Sequence, residues 1–550
     1  MIAAFAGPLA YSALLERRRL ALSYASRRAA WGHAPPEARN LTEVRRYSEL
    51  RAAASPGNEV DATTWRDLDM DAVFGHLDRS ETFAGRARLY DRLRSPGGNL
   101  EALSRFDEVV TTLANDDGAR ERVQSVLASM DPYAQDAVLE VLFATVPSPP
   151  RLQALYLAVS LAIVAALAAS FVFPAALPVV LGLAAVAIAL RIGLGRRQLA
   201  WTPALRATSA VLHVARRLAR SGVPALEPEL ARMRTARARL AGFARATGWL
   251  TVDTLRSSEL LAAIFTYLNA FFLVDLVALS YVLRTLPRMR GDVRLLFDAV
   301  GDLDAAVAVA SFRAGASHWT RPELDTAAEE LRLEAAAHPL LLRPVPNTVH
   351  VEGRGVLVTG PNMSGKSTFV RTVAINALLA RTIYTVVARR YHAPPLRIRT
   401  LMSADDDIQK SRSYYRAELE TAKAMLAPEA GHERLLVVVD ELFRGTNTNE
   451  RIGAGAALLA ALQDAGNFVF ASTHDGELVS LLRDCFDPYH FAERVIDGEI
   501  IFPFQLCRGP ATTRNAIALL RQVGFPPAVV DRASEIAEAL DRSTRAVDAG

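Results

Sequence analysis

Residues 360–368 read Gly360-Pro361-Asn362-Met363-Ser364-Gly365-Lys366-Ser367-Thr368, a run whose residue types and spacing suit the cradling of a polyphosphate. The glycines let the main chain come close to the ligand, and backbone N–H groups of the loop and the following helix start point at phosphate oxygens. Lys366 supplies a compact ammonium for the β- and γ-phosphates of ATP, and the Ser367 hydroxyl is a ligand for Mg²⁺. Only three of the 63 basic residues are lysine, at 366, 410 and 423, so a lysine where a point charge is wanted stands out against a chain that otherwise uses arginine.

The flanking residues supply the elements that position this loop. Gly355–Thr359 is a short β-branched apolar run that reads as a buried strand, and Phe369–Ala380 has helical composition without a breaker. Downstream, Leu435–Glu441 reads as an apolar strand ending in two carboxylates, Asp440 for the Mg²⁺ shell and Glu441 to orient or deprotonate an attacking water. Phe468–His474 reads as a further strand, ending in a histidine placed to sense the γ-phosphate. Strands that present polar tips at one edge predict a parallel α/β sheet with its site at the carboxyl ends.

The wording around these motifs is narrower than that of ATPases in general. Gly360–Met363, Asp440-Glu-Leu-Phe-Arg-Gly-Thr-Asn-Thr-Asn-Glu450 and Ala471-Ser-Thr-His474 together closely resemble the MutS family of ATPases. Further matches are His338-Pro-Leu340, Arg412-Ser413-Tyr-Tyr-Arg-Ala-Glu418, Tyr489-His-Phe491, and Gly524-Phe-Pro526 through Arg532-Ala533, so the likeness runs over about 335–535. A weaker echo, Leu68-Asp-Met-Asp71, Leu77-Asp-Arg79, Thr82, Gly85 and Leu89, resembles the start of the family's lever domain. The resemblance implies a composite site between two facing ATPase domains. Ser413 would complete the partner's site, Asn362 would contact the γ-phosphate region, and Thr446 and Asn447 would cross the interface. It also implies DNA as a partner and a homodimer whose geometry reports the nucleotide state. Nothing before residue 60 resembles the family's mismatch-reading domain, and no nuclease domain is expected after the C-terminal helices.

A second feature has no counterpart in that resemblance. Leu152–Leu190 is a run of 39 residues without one charge, with Pro174 and Pro178 near its middle. Proline stops helices, so the run predicts a transmembrane hairpin of two arms, Leu152–Phe173 and Ala175–Ile192, with Arg191 reaching back to the interface. Arg151 precedes the hairpin and Arg191, Arg196, Arg197 and Arg206 follow it, which puts both flanks and the ATPase on the cytoplasmic side of the membrane. The apolar stretch Leu260–Leu283, interrupted by Asn269 and Asp275, reads as a packed lever helix, and Met1–Leu15 as an ordinary helix rather than a signal.

The fold class expected is therefore an α/β P-loop ATPase domain of the ABC/MutS type at the C-terminus, preceded by an all-α lever domain that contains the hairpin. The boundaries expected are 1–60, an N-terminal helical segment; 61–150, first lever part; 151–193, hairpin; 194–330, second lever part; and 335–540, ATPase with dimerisation helices. Thr320–Pro346 reads as a Pro-punctuated junction. Net charge is only +4, and Cys485 and Cys507 lack metal spacing. Nine arginines between 206 and 245 read as a solvated helical face, a headgroup contact or a phosphate-backbone contact. Two functions follow: an ATPase coupled to mismatched or structured DNA, as in repair, or a membrane-bound ATP-driven switch acting on a protein or lipid.

Overall fold

The computed structural model describes residues 24–36, 39–55, 57, 59–97, 99–130, 135–147, 153–194, 201–251, 267–269, 271–402, 411–426, 434–443, 446–496, 499–511, 520 and 524–548. The opening segment Met1–Leu15, Arg151, Leu152, Arg196 and Arg197 lie outside them. Two compact units emerge, one of residues 1–56, 77–92 and 105–315, the other of 57–76, 93–104 and 316–550. Residues 57–76 and 93–104 thus cluster with the C-terminal unit, although all but 57–60 fall within the expected first lever part.

The first unit is helical and is organised on α4 (Val274–Gly315, 42 residues), against which α1 (Phe83–Arg94) packs closely. The contact needs small residues on both helices. A Cβ at Gly85 would collide with the Asp304 carboxylate, and one at Gly301 would lie 2.5 Å from the Ala84 carbonyl oxygen. Asp304 replaces the missing partners at the start of α1, accepting from the N–H groups of Glu81 and Thr82 and from the Thr82 hydroxyl at 3.0, 2.8 and 2.7 Å. Burial pushes its carboxyl up to about 7. The Thr82 and Gly85 of the lever echo therefore have a structural reason: they seat one helix on another.

The hairpin forms with a shorter first arm than expected and a second arm of the expected length, shifted by two residues. Helix α2 (Gln153–Ser170) and α3 (Leu177–Leu194) have 18 residues each, joined through a 3₁₀ turn at Pro174–Ala176. The first arm stops early because Phe173 precedes a proline and is forced into an extended conformation, φ −126° and ψ 97°. Among the described residues one span, Pro174–Ile192, is long and apolar enough to cross a membrane, with a mean hydropathy of 2.3 and only 11% of it buried; the apolar helix Ala154–Ser170 is shorter. One side of the pair packs: Tyr156, Val159, Ile163 and Ala187 form a cluster with Leu273 and Leu276. The other side presents Leu161 (60% exposed), Phe171 (86%) and Leu181 (65%).

Two details differ from the expected reading. Arg191 does not simply reach outward; it meets Asp275 at 3.0 Å in an ion pair. The stretch up to Leu283 is also not one helix, because Leu273 takes a left-handed φ of +51° and α4 starts after it. Asn269 is nonetheless packed, accepting from Trp249 Nε1 at 3.1 Å.

The second unit contains the sheets. Its strands are β1 (Glu323–Leu324), β2 (Glu330–Ala336), β3 (Asn347–Glu352), β4 (Gly355–Thr359), β5 (Arg390–Ala393), β6 (Leu396–Met402), β7 (Arg434–Asp440), β8 (Phe468–Ser472), β9 (Phe486–Phe491), β10 (Arg494–Ile496), β11 (Glu499–Ile501) and β12 (Leu506–Arg508). Among the described residues the main sheet runs β12-β9-β4-β8-β7-β6, parallel except for the edge pair β9–β12. Residues of β4 and β8 are buried throughout, as unbroken apolar runs in a covered parallel sheet must be. A smaller sheet, β1-β5-β2-β3, stands beside it. The expected junction 320–346 thus holds strands; Leu331 and Leu333 are buried between exposed or half-buried charged neighbours, an alternation hidden by the surrounding prolines. The short helix Ala62–Asp67 docks on β6, where Asp67 accepts from the Thr400 hydroxyl at 2.9 Å.

Candidate active site

The parallel strands β4, β7 and β8 all end at one edge, and the residues singled out from sequence gather there. Loop 360–365 joins β4 to helix α5 (Lys366–Thr382). The turn requires glycine at both ends: Gly360 has φ +136° and Gly365 φ +106°, and a Cβ at Gly360 would run into the Phe491 carbonyl oxygen. Met363 takes φ +68° at the crest, where it and Asn362 are exposed. Lys366 is buried and donates to the carbonyl oxygens of Gly360 and Pro361 at 2.8 and 2.9 Å, so its ammonium closes the loop from inside.

Ser364 is 1% exposed and its hydroxyl has no hydrogen-bond partner among the described residues. A buried hydroxyl left so within a loop lined by backbone N–H groups is suited to a ligand oxygen. Donor set, left-handed glycines and enclosed lysine fit a polyphosphate. Ser367 and Thr368 follow in the first turn of α5, Ser367 half-buried and Thr368 exposed.

Asp440 closes β7 and accepts from the Ser472 hydroxyl of β8, its cross-strand neighbour. A half-buried carboxylate beside the Ser367 hydroxyl's helix suits Mg²⁺, and these are the two residues that would hold it. Glu441 is not on the strand as expected. It opens the turn after it with φ +53°, and its N–H donates to the Ser472 carbonyl at 3.0 Å. The reversal buries its side chain to 7% exposure and turns it toward His474, whose Nδ1 lies 3.6 Å from Glu441 Oε1. Strand β8 likewise ends at Ser472, two residues before His474. The His474 ring is half-exposed, its Nε2 3.6 Å from Asp475 Oδ1. Asp475 is fixed by a two-pronged pair with Arg451 at 2.7 and 3.1 Å.

The turn that carries Glu441 is held from a second side. Phe443 has φ +56°, and its N–H donates to Glu418 Oε1 at 2.8 Å from helix α6 (Ser411–Met425). Glu418 stood in the motif without a role, because only the fold reveals that it reaches a turn 25 positions away. Ser413 lies in the first turn of α6, with its side chain outside the described residues. Thr446 donates to Glu450 at 3.0 Å, and Asn447 caps α7 (Thr448–Asp464) by accepting from the Asn449 N–H. Both present polar groups at a surface, and their assigned role across an interface is a matter for a second copy.

A cavity of about 260 Å³ opens beside the loop, lined by His338, Leu341, Arg343, Thr368, Phe369 and Phe504 among others. Burial, with the Arg371 charge adding to it, lowers His338 to about 4, so its imidazole is neutral. Of this wall, His338, Gly365, Thr368 and Phe491 were visible as motif residues; Leu341, Arg343 and Phe504 were not.

Residues 356–541 match the family model for MutS domain V. The DNA mismatch repair protein MutS of Thermus thermophilus is 35% identical over 243 residues, covering 44% of this chain and 29% of that protein. MutS of Thermus aquaticus is 33% identical over 261 residues, 47% of this chain and 31% of that protein. MutS of Natronomonas pharaonis is 35% identical over 249 residues, 43% of this chain and 28% of that protein. The chain spans under a third of the length of these relatives. Phosphate loop, carboxylate turn and histidine all fall inside the matched stretch, so the site lies in the part of this chain that is similar to MutS domain V.

Proposed function

We propose that this chain is a membrane-tethered ATPase that binds ATP at the 360–368 loop and hydrolyses it, coupled to mismatched or structured DNA. The observation that carries the reading is the convergence of the Ser364 hydroxyl, the enclosed Lys366 ammonium and the inward-turned Glu441 at one sheet edge. Loop N–H groups and Lys366 bind and neutralise the phosphates. Glu441, held by the strained turn, orients water and takes its proton; His474, in contact with it, sits where the leaving phosphate is sensed. Mg²⁺, when bound through Ser367 and Asp440, supplies charge neutralisation between the phosphates. The cavity next to Phe369 and Phe504 takes the base.

Two further parts of the proposal go beyond a single chain. A homodimer, with Ser413, Thr446 and Asn447 meeting the partner's nucleotide, is supported by the likeness to MutS domain V and by the polar surface that Thr446 and Asn447 form. Membrane tethering is supported by the outward leucines of α2 and α3 and by Phe171 and Phe173 in the turn between them. Each arm is about 27 Å long, near the roughly 30 Å of a bilayer core. The ATPase then faces the cytoplasm. DNA is proposed because the relatives are DNA mismatch repair proteins.

The test is the ATPase rate of the detergent-purified full-length protein, with and without duplex, mismatched and branched DNA, at low and physiological salt. Stimulation that persists at physiological salt and prefers one DNA form supports the DNA reading. An unchanged rate with DNA, raised by anionic vesicles instead, refutes it in favour of a lipid- or protein-directed switch.

A further inference from the structure

The smaller sheet carries a ligand set that the nucleotide site does not use. On one face of β2 and β3, Glu330 and Glu352 are directly paired in register, and His350 follows on β3 opposite Arg332. His350 Nε2 lies 2.6 Å from Glu330 Oε2 and 3.1 Å from Glu352 Oε1. One donor atom from each of the three falls within 4.8 Å of the others. Two carboxylates directly opposite across antiparallel strands repel, so this placement asks for positive charge between them. The fixed cation in register, Arg332, bonds Glu334 at 2.7 Å and reaches Glu330 only through its charge.

On the far side, His392 of β5 approaches the other oxygen of Glu330, its Nδ1 3.1 Å from Oε1. That contact lacks hydrogen-bond alignment, and the nitrogen is buried with no hydrogen-bond partner among the described residues. Ligating carboxylates are themselves hydrogen-bonded from outside, and His392 stands where a small rotation lets it donate to Glu330. Glu330 and Glu352 also border a cleft of about 600 Å³, shared with Arg354, Arg434, Gln463 and Asn467, which gives an ion a path from solvent.

We propose that Glu330, His350 and Glu352 bind a divalent transition-metal ion of the zinc class, with His392 positioning Glu330. An imidazole with two carboxylates selects such an ion over Mg²⁺ or Ca²⁺, which favour oxygen alone. Donors around a tetrahedral ion with bonds of about 2.0–2.2 Å stand roughly 3.4 Å apart, so the present separations need only small side-chain adjustment. Water fills the remaining position on the open side. The ion ties β2 to β3, and its charge offsets the two opposed carboxylates.

The test uses metal-stripped full-length protein without nucleotide, titrated with Co²⁺ and followed by its visible d–d absorption, then by Zn²⁺ displacement. One equivalent with strong absorption is expected in the wild type. His350→Ala should abolish the signal, and His392→Ala should weaken binding about 10- to 100-fold while keeping the spectrum. Unchanged ATP binding in both variants checks that they fold. No Co²⁺ uptake by the wild type, or uptake that His350→Ala leaves intact, overturns the proposal.

Discussion

Glu418 offers the sharpest test of how the turn after β7 is built. Both Glu441 and Phe443 hold left-handed backbones, at φ +53° and +56°, and each costs on the order of 1–2 kcal/mol for a residue with a side chain. Two hydrogen bonds offset that strain: Glu441 N–H to the Ser472 carbonyl, and Phe443 N–H to Glu418 Oε1 at 2.8 Å. Glu418 and Phe443 are 8% and 4% exposed, so neither loses its partner to water freely. Removing a charged acceptor from a buried N–H costs about 1.5–3 kcal/mol, enough to release a turn strained by a similar amount. Glu418→Ala should therefore lower kcat for ATP hydrolysis about 10- to 100-fold, since 1.4 kcal/mol is tenfold. KM should move by less than about threefold, because Glu418 holds the turn rather than the phosphate loop. Glu418→Gln keeps an acceptor oxygen and should lose much less. Phosphate release at steady state, with nucleotide binding measured separately, reads both quantities. A Glu418→Ala protein with wild-type kcat would refute the claim that this contact positions Glu441.

Other outcomes follow from the same structure. Gly360→Ala puts a side chain at φ +136° against the Phe491 carbonyl, on a strand held by the β9–β12 pairing, so it should abolish ATP binding and lower Tm by about 5 °C or more. Calorimetry and nucleotide titration check both; normal binding contradicts the account of the loop. His338 falls from its ordinary 6.5 to about 4 on folding, so the unfolded chain binds the extra proton between those values. Its contribution is complete above pH 6.5 and is lost toward pH 4, at most ~3 kcal/mol, and His338→Gln should flatten that part of the denaturation profile. Leu161→Glu combined with Leu181→Glu should shift the protein from the membrane fraction toward the soluble one. Unaltered partitioning would contradict the tether.

The legible parts of this chain are those whose signal is local. The phosphate loop, the buried strands β4, β7 and β8, and Asp440 at a strand end all follow from short runs and their punctuation. The ends of those strands were less legible: Glu441 leaves its strand through a left-handed turn that apolar patterning does not encode. The proline effect on Phe173 shortened the first hairpin arm for a similarly local reason. Long-range partners were not legible at all. Asp304 caps a helix that begins more than 220 positions earlier, and Glu418 becomes intelligible only beside Phe443. The smaller sheet was hidden because its exposed face is charged and prolines surround it, leaving only the alternation of Leu331 and Leu333.

The central claim is that one site, built from the 360–368 loop and Glu441, binds and hydrolyses ATP. Its most direct measurement is ATP binding and single-turnover hydrolysis by the full-length protein beside Lys366→Ala and Glu441→Gln. The account predicts that Lys366→Ala loses binding, while Glu441→Gln binds ATP normally and hydrolyses it at least ~100-fold more slowly. Hydrolysis by Glu441→Gln at the wild-type rate would contradict it.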